Sequence, residues 1–173
     1  DLKKEVLKAE KRIRKFIRET PLEHSPFLSR LGNCSVSLKL ENMQMTGSFK
    51  LRGIMNKLLS LTDKERKTKV ITASTGNHGR AFAHALQKLG MKGTIFLPEN
   101  ASPAKIEVLG NYNVYLKFHG TDCVQAESFA RETAERNNLI YISPYNDLKI
   151  IAGQGTIGIE LEKEINKIDA VLV

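Results

Sequence analysis

Residues Lys69–Leu97 read KVITASTGNHGRAFAHALQKLGMKGTIFL, and this stretch decides the fold class. Val70-Ile71-Thr72-Ala73 is a short, mostly apolar run bounded by turn residues, the pattern of a strand buried on both faces. Ser74-Thr75-Gly76 interrupts it. From Asn77 to Leu89 the apolar residues return at helical spacing, and Gly90 supplies the left-handed stop common at helix ends. Gly93 to Leu97 is a second buried strand, stopped by Pro98. Strand, helix and strand at this spacing form a β-α-β unit, which requires a parallel pair and a right-handed crossover.

The alternation continues in both directions. A helix over Ser48–Leu61 precedes the unit. After it come a helix from Pro103 to Leu109, a strand from Val114 to Phe118, a helix from Cys123 to Arg136 and a strand from Leu139 to Ile142. In the Cys123 helix, Ala126, Phe129, Ala130 and Thr133 turn inward. A helix from about Ile151 to Ile165 and a strand over Asp169–Val173 are predicted next. Upstream, Thr20-Pro21-Leu22 starts extended and Ser35–Leu40 alternates as a short strand. The result is an α/β architecture, a mostly parallel sheet with helices on both faces. Ligands in such sheets bind at the carboxyl ends of strands, where the loops before Ser48, Asn77 and Pro103 fall.

Composition narrows the function classes. The 173 residues are 41% hydrophobic and 27% charged, and a chain of this size buries roughly 70% of its unfolded surface without disulfides or metals. No apolar run approaches the ~18 residues of a membrane helix, and no secretory h-region follows the basic start, so a cytoplasmic address is expected. Cys34 and Cys123 stand far apart, and His24, His78, His84 and His119 show no zinc spacing, so no metal is expected. The net charge of +8 is concentrated at one end. Lys3, Lys4, Lys8, Lys11, Arg12, Arg14, Lys15 and Arg18 share a segment with Leu2, Val6, Ala9, Ile13, Phe16 and Ile17 at helical spacing. A docked helix with a solvated basic face explains that charge without nucleic acid or membrane.

Two loops carry chemistry. Glu41–Gly53 reads ENMQMTGSFKLRG, a strand running into a Thr-Gly-Ser turn with Lys50 in the first turn of the next helix. A helix N-terminus disfavours a cation, so this lysine is not placed for helix stability. The position does favour a lowered ammonium pKa, the condition for an amine that attacks a carbonyl. A solvated lysine is the alternative reading. Ser74-Thr75-Gly76-Asn77-His78 joins a buried strand to a helix N-terminus, where backbone N–H groups and hydroxyls converge on an anion such as a carboxylate. The alternative is a plain cap, with Thr75 or Asn77 closing the helix. Gly153-Gln154-Gly155-Thr156-Ile157-Gly158 satisfies the dinucleotide spacing, yet no strand runs into its first glycine. Its glycines are assigned to close helix packing.

These segments resemble the serine/threonine dehydratase family of pyridoxal-phosphate enzymes, in the branch that includes serine racemase. Glu41–Gly53 matches that family's cofactor-attachment signature, and Thr20-Pro21-Leu22, Ala73–Gly79 and Gly153–Thr156 fit in order. The resemblance implies a three-layer, tryptophan-synthase-β-like fold and pyridoxal 5'-phosphate as cofactor. Lys50 then attaches the cofactor and removes the α-proton, with Phe49 packed near the ring. Asn77 bonds the cofactor's ring hydroxyl, and Ser74, Thr75, Gly76, Asn77 and His78 grip the substrate carboxylate. Thr75 departs from the pattern. Dehydratases often carry a small apolar residue there and racemases a serine that donates a proton, so Thr75 is a second catalytic candidate.

Family members are about twice as long, and this sequence stops before their glycine-rich phosphate loop, so it reads as truncated. The implied division is 1–49 for the first part of the large domain, 50–145 for a small cofactor-covering domain, and 146–173 for the return to the large one. The implied activity converts L-threonine- or L-serine-type β-hydroxy amino acids to 2-oxo acids and ammonia. The alternatives are a serine racemase-type enzyme or a truncated, non-catalytic partner of a full-length enzyme. A small amino-acid substrate and pairing with itself or a longer homologue are the expected partners.

Overall fold

The computed structural model describes all 173 residues. Helix α1 (Leu2–Ile13) ends in a 3₁₀ turn at Arg14–Phe16. Strand β1 (Leu22–His24), α2 (Pro26–Gly32) and β2 (Ser37–Lys39) follow, then a 3₁₀ turn at Glu41–Met43. Next come α3 (Lys50–Leu59), α4 (Asp63–Arg66), β3 (Val70–Ala73), α5 (Asn77–Leu89) and β4 (Gly93–Leu97). The chain continues with α6 (Pro103–Gly110), β5 (Tyr115–Phe118), α7 (Cys123–Arg136), β6 (Ile140–Tyr141), α8 (Leu148–Gln154) and α9 (Thr156–Glu164).

Four strands form a parallel sheet in the order β5-β4-β3-β6. The chain lays β3, β4 and β5 down in one direction and then returns β6 to the free side of β3. Val70 pairs with both Gly93 and Ile140, so β3 lies between β4 and β6, and β6 ends opposite Ile71, two residues before β3 does. Strands β1 and β2 make a separate antiparallel pair.

The period-two alternation of the strands divides the core. Val70, Ile95 and Leu97 pack with Ile54, Leu58, Phe82 and Leu86 from α3 and α5. Ile71, Ala73 and Phe96 face the other way, onto Ala130 and Ala134 of α7. These are the three layers expected from the β-α-β alternation.

Helices α3 and α8 cross at two glycines. A Cβ on Gly153 would lie 2.5 Å from Gly53 Cα, and a Cβ on Gly53 would lie 2.7 Å from the Ile150 carbonyl oxygen. Gly153 therefore packs closely against α3, and a Cβ on Gly155 would lie 2.6 Å from Val6, as the assignment to helix packing expects, whereas Gly158 faces open space.

Several expectations are corrected. The single helix over 151–165 is two: Asp147 caps α8 by accepting from Lys149 and Ile150 N–H, and the helix breaks at Gly155. Asp169–Val173 forms no strand. Its residues are exposed, Leu172 by 98%, because no neighbouring strand offers it a ladder. Two short helices lie outside the predicted elements: α2, with a Ser25 cap and Pro26 in its first turn, and α4, with a Thr62–Glu65 capping box. In α7 the buried residues are Ala126, Ala130 and Ala134, whereas Phe129 and Thr133 are half-buried. In α1, Ala9 and Ile13 are buried, but Leu2 is 49% exposed.

Candidate active site

Lys50 is the first residue of α3. The Thr46-Gly47-Ser48 turn that delivers it needs a left-handed residue, and Gly47 has φ 72°. The lysine side chain is half-buried, and its Nζ donates a 3.1 Å hydrogen bond to the Pro144 carbonyl oxygen. The same Nζ lies 5.0 Å from the centroid of the Phe49 ring. Burial holds the amine below the ordinary lysine range, which fits the lowered pKa expected of an amine that attacks a carbonyl.

Pro144 belongs to the loop that continues β6, and that loop also reaches the second candidate segment. Thr72 Oγ1 donates to the Ile142 carbonyl oxygen at 2.8 Å. His78 Nε2 lies 3.0 Å from Thr72 Oγ1 and 3.3 Å from the same carbonyl oxygen. The threonine proton is committed to Ile142, so Nε2 must carry the imidazole proton and donate it. Burial and the nearby Lys50 charge keep this ring neutral, with a pKa lowered to about 4. His78 therefore turns its ring into the domain and offers the loop only its backbone.

The other loop residues stay near the surface. Ser74 Oγ accepts from Gly76 N–H at 3.2 Å. Helix α5 starts after Gly76 with no side-chain cap, so neither Thr75 nor Asn77 serves as one. Asn77 is exposed at the first position of α5. A Cβ on Gly79 would lie 2.5 Å from the Ser74 carbonyl oxygen, so the tight loop requires glycine there. Thr75 Oγ1 lies 4.0 Å from Cys123 Sγ, and both line a cleft of about 150 Å³ with Ser74, Ala126 and Glu127. An uncapped helix start beside free hydroxyls is a suitable seat for a carboxylate.

The residues present suit an aldehyde cofactor. The amine that would react with it is half-buried and has a carbonyl oxygen as its hydrogen-bond partner. Around it, Ser48 Oγ, Thr46 Oγ1 and His78 Nδ1 are buried with no hydrogen-bond partner. Such orphaned groups are costly in a finished core and mark a place where a polar ligand belongs.

Two residues beyond Lys50, the arrangement reverses. Arg52 has no exposed side-chain surface and forks onto two carboxylates. Its Nε and Nη2 donate to Glu41 at 2.9 and 2.7 Å, and its Nη1 and Nη2 donate to Glu160 at 2.7 and 2.9 Å. Glu160, also fully buried, takes Lys39 at 2.9 Å and Arg14 at 2.9 Å. Thr20 donates its hydroxyl to Glu41 at 2.6 Å. Burial alone would raise the Glu160 carboxyl, but Arg52, Lys39 and Arg14 outweigh it and hold it at about 2. This cluster ties α3 to α9, β2 and the end of α1.

The structure thus brings Lys50 and the Ser74–His78 loop together through Ile142–Pro144. It leaves Phe49 beside the amine, Ser74 and Thr75 on the cleft and Asn77 exposed. Pro144, Thr72 and Glu160 carry no sequence signal. The first acts through a backbone carbonyl and the last meets Arg52 from the far end of the chain.

Comparison with known proteins gives the family and the fold. The description "Pyridoxal-phosphate dependent enzyme" matches residues 13–173. The catabolic L-threonine dehydratase TdcB of Staphylococcus aureus (strain USA300) is 39% identical over 170 residues, covering 98% of this chain and 49% of that protein. Threonine deaminase isoform 2 of Solanum lycopersicum, in its processed form, superposes with a TM-score of 0.90 at 32% identity, covering 96% of this chain and 46% of that one. Maize serine racemase gives 0.89 at 29%, covering 96% and 50%. The chain spans about half the length of the relatives it matches. With the family match running from the end of α1 to the last residue, the chain belongs to the pyridoxal-phosphate dependent enzymes.

Proposed function

We propose that this chain carries the lysine-bearing half of a dehydratase that converts L-threonine or L-serine to a 2-oxo acid and ammonia. One observation carries the reading: the Lys50 amine, half-buried, depressed below the ordinary lysine range and hydrogen-bonded to the Pro144 carbonyl oxygen. When bound, pyridoxal phosphate supplies an electron-poor ring that stabilises negative charge at the substrate α-carbon. Lys50 would hold the group covalently and its amine would serve as the base at that carbon. Its lowered pKa leaves more of the amine neutral near pH 7, as a general base requires. Ser74, Thr75 and the backbone of Gly76, Asn77 and His78 hold the carboxylate at the uncapped start of α5. Asn77 would hold the cofactor's ring oxygen, and Phe49 would fix the lysine's approach. Residues 50–145 act as the cofactor-covering domain, with 1–49 and 146–173 belonging to a larger one. The protein works on a small amino acid in the cytoplasm and pairs with itself or with a longer homologue.

A second reading rests on Thr75. Its hydroxyl lies on the cleft, where a proton delivered to the α-carbon opposite Lys50 would give a racemase. Assays of ammonia, 2-oxo acid and D-serine with L-serine and L-threonine separate the two. Ammonia and 2-oxo acid that disappear in Lys50→Ala support the dehydratase. D-serine formation abolished by Thr75→Ala supports the racemase, and no product of either kind from the chain complemented with the carboxyl-terminal half of a longer homologue refutes both.

A further inference from the structure

Tyr145 is half-exposed on the loop after β6, next to the residue whose carbonyl holds the Lys50 amine. Its hydroxyl lies 2.8 Å from each Glu127 carboxylate oxygen and donates to them. Glu127 sits one turn into α7 and lines the cleft that holds Ser74 and Thr75. Arg131 fixes the carboxylate from below, donating to it at 2.7 Å. At its two ends the loop is held by Thr72 donating to the Ile142 carbonyl oxygen at 2.8 Å and by the Lys57–Asp147 ion pair at 2.6 Å, and within it Ser143 Oγ accepts from Asn146 N–H at 3.1 Å. Tyr145 thus ties the loop that carries the lysine's partner to the helix that forms the opposite wall.

We propose that the Tyr145–Glu127 bond is a positioning latch for Lys50, holding the loop after β6 so that the Pro144 carbonyl meets the amine and water is kept from it. The inference rests on Lys50 being the reactive amine of the proposed function. Tyr145 and Glu127 touch no reacting atom and act through Pro144. A bond this exposed contributes little to global stability, so the latch works on the loop and not on the fold. The titratable groups around the amine are few. His78 faces it from α5 and is neutral. Behind the loop stands Glu127, kept anionic by Arg131 and Tyr145 against the opposing effect of burial. Burial lowers the Lys50 amine, so opening the loop hydrates it and returns it toward ordinary lysine.

The test is competitive acetylation of the 173-residue chain with trace acetic anhydride across pH, read by mass spectrometry at Lys50 with exposed Lys92 as internal reference. It needs no cofactor. Tyr145→Phe keeps the ring and removes one oxygen, and its labelling midpoint is expected to rise by about half a unit, roughly a threefold drop in Lys50 labelling below the midpoint. The thermal midpoint is expected to stay within a degree or so of the parent. Glu127→Gln keeps an acceptor and should label like the parent. Tyr145→Phe combined with Glu127→Ala should shift no further than Tyr145→Phe alone. An unmoved midpoint in Tyr145→Phe, additive shifts in the double variant, or a Glu127→Gln shift as large as that of Tyr145→Phe would each overturn the latch. Should Tyr145→Phe fold poorly, Glu127→Ala alone carries the same expectation. Borohydride trapping of pyridoxal phosphate separates the two claims. Cofactor trapped on Lys50 with an unmoved midpoint sinks only the latch, and a moved midpoint without trapping sinks only the functional reading.

Discussion

Lys50 and Arg52 stand two residues apart on one helix and live in opposite surroundings. At that spacing they project from opposite sides of α3. Arg52 is fully buried and finds Glu41, Glu160, Thr20 and Thr156 for its donors. Lys50 is half-buried, has one carbonyl partner and stands near hydroxyls and a ring nitrogen that have none. The contrast teaches what each side is for. A guanidinium surrounded by matched carboxylates fixes the helix in place, and an amine left short of partners suits the reactive role proposed for it. The anchor fixes the start of the helix through Arg52, whose donors are all matched, while the polar groups beside Lys50 stay short of partners.

The sharpest way to break the comparison is to cut the anchor. Glu160→Ala leaves the buried Arg52 and the nearly buried Lys39 with one carboxylate fewer, and urea unfolding should show a loss of about 3 to 5 kcal/mol, the usual penalty for an orphaned buried charge. Retention of parental stability would mean that water already satisfies the cluster. Next in size is Gly53→Ala, whose Cβ meets the Ile150 carbonyl oxygen at 2.7 Å. Helix α8 must move away, at about 1 to 3 kcal/mol. An unchanged midpoint would show that the α3–α8 crossing is not tight in solution.

The two regions should also separate on an acid titration. The folded Glu160 carboxyl sits at about 2 against 4.5 ordinarily, so its contribution is complete above about pH 4.5 and is lost as pH falls toward 2. His78 sits at about 4 against 6.5. Below pH 6.5 the unfolded chain binds a proton that the folded ring refuses, so stability declines from 6.5 to 4 and no further on its account. Glu160→Gln should shrink the lower step, which Glu5 shares because Lys149 and Lys8 also hold its carboxyl at about 2, and His78→Asn should remove the upper one. The smallest effect belongs to Lys50. Lys50→Met removes a partly desolvated charge with one hydrogen bond, and stability should change by no more than about 1 kcal/mol in either direction.

Much of this contrast was legible in the sequence, for reasons that differ by element. The β3-α5-β4 unit was readable because each strand is buried on both faces and α5 ends on a glycine. The same logic failed for Asp169–Val173, where composition says strand but a strand exists only against a neighbour. Lys50 and the Ser74–His78 loop were found because their chemistry is compressed into contiguous motifs. Glu160 was not, since its partners lie from Arg14 to Arg52 and only folding assembles them. His78 shows a subtler gap. Its position in the loop pointed to an anion, whereas Thr72 and Ile142 draw its ring inward.

The account stands on Lys50 being the reactive amine, and the direct measurement is borohydride reduction of the chain in the presence of pyridoxal phosphate, followed by peptide mapping. Reduced cofactor on Lys50, at a level well above any exposed lysine and absent from Lys50→Ala, is the predicted result. Labelling spread evenly over the surface lysines, with Lys50 no more reactive than Lys92, would contradict it.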